Sequence, residues 1–368
     1  MDGKIRFGLA GCGRISHKHA SAILALSSEA ELICVCDLVR ERADAIAQQY
    51  LKCISDRGKS SDANFPRIYS DIGKMIDSEK LDVLSICTPS GLHPVHGIMA
   101  AGRGINVLSE KPIATAMKQA DELIDACDKA GVKLFVVKQN RLNSTVQLLK
   151  KAIDKGRFGK IYMILSNVLW FRPQSYYSLA EWRGTWELDG GAFCNQASHY
   201  IDIVQWLGGP VESVCAYTGT LDRRIEAEDS GCAVMKFRNG AIGNVNVTTL
   251  VYPENLEGSI TVIGEKGTAR IGGTSLNRIE KWEFEGIDED DKTAAESCYE
   301  PPDVYGYGHK GCYENVIGAL RGNDVPFTDG REARKSLEII MGIRMSSHKG
   351  RRVYFPIDLD DGMRGALE

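Results

Sequence analysis

A glycine turn near the start of the chain limits its fold more than any other feature. Gly8-Leu-Ala-Gly11-Cys-Gly13-Arg14-Ile15-Ser16 joins an apolar, strand-like run over 5–10 to a helical pattern that opens at Ser16. Gly11 permits a tight turn, and Gly13 lets backbone approach a pyrophosphate at a helix N-terminus. Ser16 is small enough in the third position for helix and strand to pack closely. Strand, turn and helix in this order form the first unit of a parallel, dinucleotide-binding sheet.

The alternation continues. Strand-like runs at 32–36, 83–87, 105–108 and 134–137 are separated by helical patterns such as 16–27, 40–50 and 117–130, which predicts right-handed crossovers in one parallel sheet. A polar stretch at about 52–66 reads as a surface insertion. After a connecting helix near 146–155, strands follow one another at 161–171, 211–220, 231–238, 241–250, 259–263 and 269–272. Asn239-Gly240 is a hairpin turn between two of them. A helix at 196–207 ends on Gly208-Gly209-Pro210, an acidic, turn-rich and therefore mobile loop is expected at 286–306, and helical patterns return at 311–320 and 331–347. The expected fold is an α/β Rossmann domain over 1–140. It is followed by an α+β domain over 141–368 with an open, mostly antiparallel sheet.

A chain of 368 residues exceeds the usual single-core size, in keeping with two domains. Its net charge of -4 and pI near 6.0 argue against a nucleic-acid partner. No apolar run reaches the roughly 20 residues of a membrane span. A strand pattern beginning at Lys4 leaves no room for a signal peptide, so a cytoplasmic location is expected. The eleven cysteines form no Cys-x-x-Cys pair, and several lie in apolar strands, so reduced thiols are expected and no metal site.

The chemistry-bearing residues fall at strand ends. Asp37 ends the second strand, where a carboxylate binds the ribose diol of NAD and repels the extra phosphate of NADP; Arg40 nearby leaves some room for NADP. Thr88-Pro89-Ser90 and Ser109-Glu110-Lys111-Pro112 follow later strands and share the carboxyl edge of the sheet. There the Lys111 ammonium can touch both a nicotinamide and a substrate hydroxyl. With Gly11, Gly13, Arg14 and Ile15, the expected cofactor contacts are Asp37, Thr88, Pro89, Ser90, His93, Glu110, Lys111 and Gln139. His93 has an equally ordinary structural reading as a helix-start residue. In the second half, Asn195 and His199 are four apart, so a helix start would place both on one face. His199 can take a hydroxyl proton, and Asn195 can orient the ring or a sugar hydroxyl. Lys111, His199 and Asn195 are the catalytic candidates.

Taken together, Gly11-x-Gly13, Cys87-Thr-Pro89, Glu110-Lys111-Pro112 and Gly190-Gly191 ahead of His199-x-x-Asp202 resemble the glucose-fructose oxidoreductase/inositol dehydrogenase/MocA family. The resemblance implies NAD(P)-dependent oxidation or reduction of sugar or cyclitol carbons, with Lys111 and His199 as the catalytic pair. It also implies a homo-oligomer, dimer or tetramer, assembled through the outer face of the second sheet. Asn195 departs from the Asp that many members carry. Within the family, Phe171-Arg172-Pro-Gln-Ser-Tyr176-Tyr177, Trp182-Arg183-Gly-Thr-Trp186 and Asn195-Gln196-Ala-Ser-His199 look most like UDP-N-acetylglucosaminuronate 3-dehydrogenases of bacterial surface-polysaccharide synthesis. Some of those recycle bound NADH with 2-oxoglutarate. On that resemblance the substrate is a nucleotide sugar. Arg172 and Arg183 offer forked donors to carboxylate or phosphate, and Tyr177, Trp182, Gln196, Asn195, His199 and Lys111 are the other expected contacts. Inositol or free-sugar dehydrogenation is the nearest alternative, and a catalytically silent NAD-binding regulator is the alternative of another class.

Overall fold

The computed structural model describes residues 3–55, 65–273, 275–301 and 305–358. Two compact units emerge, residues 1–114, 118–137 and 309–333 in the first and 115–117, 138–308 and 334–368 in the second.

The first unit opens with β1 (Ile5–Ala10), α1 (Ser16–Ala25), β2 (Ala30–Cys36), α2 (Arg40–Ser55), β3 (Arg67–Tyr69) and α3 (Ile72–Ser78). It continues with β4 (Val83–Ile86), α4 (His93–Ala101), β5 (Asn106–Ser109), α5 (Met117–Ala130) and β6 (Leu134–Val136). All six strands are parallel, in the order β3-β2-β1-β4-β5-β6. The order reverses between β1 and β4, and the carboxyl ends of those two strands flank the place where such sheets take ligands. Of the expected insertion near 52–66, α2 takes the first residues as helix, and residues 56–64 lie outside the described part.

The second unit carries α6 (Ser144–Asp154), β7 (Ile161–Leu169), α7 (Gln174–Tyr177), α8 (Gly191–Cys194), α9 (Ser198–Gly208) and β8 (Val211–Gly219). Then come β9 (Ser230–Phe237), β10 (Ile242–Thr248), β11 (Glu257–Gly264), β12 (Gly267–Gly272) and β13 (Arg278–Phe284). The chain ends with α10 (His309–Leu320), α11 (Gly330–Lys349) and β14 (Val353–Tyr354). Eight strands form one sheet, β13-β12-β11-β7-β10-β9-β8-β14. Only the β7–β10 pair is parallel, so the sheet is mixed and mostly antiparallel. Period-two alternation in β9 buries Ala233, Met235 and Phe237 and exposes Cys232, Val234 and Lys236. Helix α9 packs on the buried side, against β7 and β10.

Two features differ from the sequence reading. Helix α10 belongs to the first unit, whose residues therefore extend beyond the boundary expected at 140. Tyr313, Val316 and Ile317 enter the same buried cluster as Phe7, Leu9 and Ile23. The acidic stretch after β13 is pinned rather than loose: Asp290 is paired with Lys151 at 2.7 Å and Asp288 with Lys155 at 2.9 Å.

Candidate active site

In the first unit, the glycine turn is shaped by the neighbouring strand. Gly11 has φ +88°, and a Cβ there would lie 2.6 Å from the Cys87 carbonyl and the Thr88 nitrogen. Only glycine fits that conformation and that spacing. A Cβ on Gly13 would meet nothing within 4 Å, which leaves the backbone open to a ligand. Helix α1 starts just beyond, with no side-chain cap on its first turn. Uncapped N–H groups at a helix start suit a pyrophosphate. The Asp37 carboxylate accepts from Cys12 N–H at 2.7 Å and Val39 N–H at 2.8 Å. Each oxygen keeps a lone pair for a ribose hydroxyl. These features fit a dinucleotide cofactor. The thiol of Cys12 is pushed up to about 12 by burial and stays protonated.

Thr88 and Pro89 follow β4, and Ser90 begins a short 3₁₀ turn (Ser90–Leu92) that leads into α4. The Thr88 hydroxyl lies 3.0 Å from His96 Nδ1. Burial depresses His96 to about 4, so its ring is neutral. His93, expected at the cofactor, lies between two backbone carbonyls. Its Nδ1 is 2.7 Å from that of Pro112 and its Nε2 is 2.8 Å from that of Thr88, and a neutral ring donates to one of the two. Glu110 is also turned inward, buried, with Oε2 accepting from the Lys111 N–H at 3.0 Å. Lys111 itself is half-buried at the exit of β5.

In the second unit, α9 presents His199. The side-chain amide of Gln139 sits 3.1 Å from His199 Nε2. Gln139, expected as a cofactor contact, thus lies within hydrogen-bond distance of the candidate base. One turn further along α9, the Asp202 carboxylate accepts from Arg141 Nε at 2.6 Å and Nη2 at 2.8 Å, with the Lys138 ammonium at 3.4 Å. Burial opposes its charge, but Lys138 and Arg141 outweigh burial and hold Asp202 below the usual carboxylate range. Arg141 and Lys138 escaped the sequence reading because their partner lies about sixty residues away. The His199-x-x-Asp202 spacing was the available signal.

Asn195 does not share the helix of His199. Helix α9 begins at Ser198, and Asn195 closes the short α8 with its amide donating to the Asp189 carboxylate. The expected single helical face is thus replaced by a turn anchored on Asp189. Gly191 enters that turn at φ +78°, and a Cβ there would strike the Glu228 carboxylate at 2.2 Å. Gln196 is buried, and neither its amide oxygen nor its nitrogen has a hydrogen-bond partner.

The two arginines share one aromatic ring. Arg172 lies 5.6 Å and Arg183 4.2 Å from the Tyr176 ring centre, and Arg183 also covers Trp182 at 4.8 Å. They differ in how they are held. Arg172 Nη1 donates to the Phe171 carbonyl at 2.6 Å and to Asn255 at 3.0 Å. The Nε of Arg183 is buried without a hydrogen-bond partner. Tyr177 supports the segment from within: it is buried, its hydroxyl donates to Thr249 at 3.1 Å, and burial raises it to about 12.

Comparison with known proteins bears on both units. Residues 5–138 match the NAD-binding Rossmann domain of the GFO/IDH/MocA oxidoreductase family, and residues 150–355 match that family's C-terminal alpha/beta domain. The chain is similar to the WlbA dehydrogenase of Bordetella pertussis, solved with NADH and UDP-GlcNAcA. Identity is 51%, over 97% of this chain and 99% of that one, with a TM-score of 0.89. The corresponding Chromobacterium violaceum enzyme, solved with the same two molecules, is 47% identical over 97% of this chain and 98% of that one, TM-score 0.87. Among curated relatives, D-apiose dehydrogenase of Paraburkholderia graminis is 25% identical over 95% of this chain and 89% of that protein. The chain belongs to the GFO/IDH/MocA oxidoreductase family and is an NAD-dependent sugar dehydrogenase.

Proposed function

We propose that this dehydrogenase oxidises the C3 hydroxyl of UDP-N-acetylglucosaminuronate, in the cytoplasm, for bacterial surface-polysaccharide synthesis. The observation that carries the reading is its 51% identity, over nearly the full length, to an enzyme solved with NADH and UDP-GlcNAcA. Side chains of the second unit agree with such a substrate. A UDP-uronate carries a pyrophosphate and a carboxylate, and the buried, unpartnered Arg183 Nε and the unpartnered Gln196 amide would both gain hydrogen bonds from it. A free hexose or an inositol offers no anion for Arg183. A silent regulator would not need both Lys111 and His199.

When bound, NAD supplies the hydride acceptor, nicotinamide C4. The remaining work belongs to this chain. The glycine turn and Asp37 bind the dinucleotide. His199, its ring oriented by Gln139, takes the hydroxyl proton, or Lys111 does so; the other partner steadies the oxygen as charge develops. Asn195, fixed by Asp189, orients a sugar hydroxyl. NADH formation should be measured with UDP-N-acetylglucosaminuronate, inositols and free hexoses in parallel. Turnover confined to the nucleotide sugar supports the reading. Turnover confined to an unsubstituted sugar or cyclitol replaces it with the broader alternative, and none at all favours the silent regulator.

Two further proposals concern partners. The chain assembles with copies of itself through the face of its second sheet that carries the exposed Met163, Tyr217, Val234 and Ile242, of which Met163 and Ile242 are paired and the other two lie further along adjoining strands. Oxidation of bound NADH by added 2-oxoglutarate would establish that acid as the recycling substrate. Among the described residues, no helix is long and apolar enough to cross a membrane.

A further inference from the structure

A polar cluster in the core of the first unit is built around Glu110. Glu110 Oε1 lies 2.9 Å from His19 Nε2 and 3.4 Å from His309 Nε2, and its other oxygen accepts from the Lys111 N–H. His19 Nδ1 is 2.8 Å from the Tyr313 hydroxyl, which is 2.8 Å from Ser85 Oγ. Every member is buried. We propose that Glu110, clamped by His19 and His309, is a positioning residue that fixes Lys111 for proton transfer; this rests on the catalytic role given to Lys111 above.

The protons in the cluster can be assigned. Burial opposes the Glu110 charge, yet the bonds from His19 and then His309 hold it well below the usual carboxylate range. An ionised carboxylate only accepts, so both Nε2 atoms must carry hydrogen. Burial lowers His309, leaving its ring neutral. His19 Nδ1 and Ser85 Oγ both meet the Tyr313 hydroxyl, which ties helix α10 into the cluster. Burying a carboxylate is costly unless donors surround it, and an apolar residue would fill the space at less cost. What the carboxylate adds is a fixed backbone at Lys111. On the far side, His93 Nδ1 lies 2.7 Å from the Pro112 carbonyl. As the Nδ1–H tautomer it would tether the other flank of Lys111, leaving the side chain to be aimed.

The three ligand-type atoms lie within 4.8 Å of one another, a spacing open to a metal ion as well. A metal would displace the ring protons, so the two readings exclude each other.

Glu110→Gln keeps the volume and removes the charge. It should lower kcat by about 10²-fold, the scale of a small misplacement of a reacting group, while NAD affinity and KM hold. His309→Leu should do the same. His309→Gln should recover most of that loss, because its amide nitrogen reaches the position of Nε2. In ligand-free protein at neutral pH, ¹⁵N-histidine NMR should show a proton on Nε2 of both His19 and His309. Lys111→Met separates the two claims. Full turnover in Lys111→Met removes the catalytic role of Lys111. An inactive Lys111→Met beside a fully active Glu110→Gln overturns only the positioning role. Equal activity of His309→Leu and His309→Gln, or stoichiometric zinc in the purified protein, would also overturn it. If Glu110→Gln does not fold, the His309 pair and the NMR signature decide.

Discussion

Asp37 holds the turn and has lone pairs left for the cofactor, so it should govern cofactor choice. Asp37→Ala should narrow the preference for NAD over NADP, read as the ratio of their Kd values; equal Kd values in the wild type would remove that role. The arginines should now behave unequally. Losing a charge-assisted contact costs roughly 1.5–3 kcal/mol, about ten- to a hundredfold in affinity. Arg183→Ala should raise KM for the nucleotide sugar by that factor, whereas Arg172→Ala should have a smaller effect because its head is tied to Phe171 and Asn255. Arg183→Lys should rescue poorly, since an ammonium cannot stack and fork as a guanidinium does. An unchanged KM in Arg183→Ala would exclude it from the substrate. Gly11, Asp37, Lys111 and His199 could be singled out by their local signatures. The contacts of Gln139 and Tyr177 could not, because their partners His199 and Thr249 lie 60 and 72 residues away.

At the level of elements, legibility followed burial. Strands β1, β2, β4 and β5 are short apolar runs buried on both faces, and they stood out. Strand β13 is a charged sheet edge with no fully buried residue, so no alternation marked it. Helix α9 starts later than expected because Asn195 is drawn to Asp189. Helix α4 offers a pH test. His96 keeps a folded value of about 4, against an ordinary 6.5 in the unfolded chain. The neutral ring's contribution is complete above about 6.5 and is lost as pH falls toward 4. His93, also depressed by burial, acts in the same sense. The melting temperature should therefore fall on acidification through that window, and less steeply in His96→Gln. Identical slopes in the two proteins would show that His96 titrates normally in the fold.

For the whole molecule, the two-part architecture followed from the change of pattern near residue 140, but the return of α10 did not. Only the packing of Tyr313, Val316 and Ile317 beside Phe7 and Ile23 reveals it. Assembly is testable at this scale. Tyr217→Asp with Val234→Lys places charges on the exposed sheet face and should reduce the mass measured by light scattering to that of one chain. An oligomer of unchanged mass would place the interface elsewhere. The central claim, that this chain removes hydride from C3 of a UDP-uronate, is tested most directly with UDP-N-acetylglucosaminuronate deuterated at C3. The label should appear in the NADH formed, and turnover should slow through a primary isotope effect. NADH formed without deuterium would place the oxidation at another carbon and contradict the account.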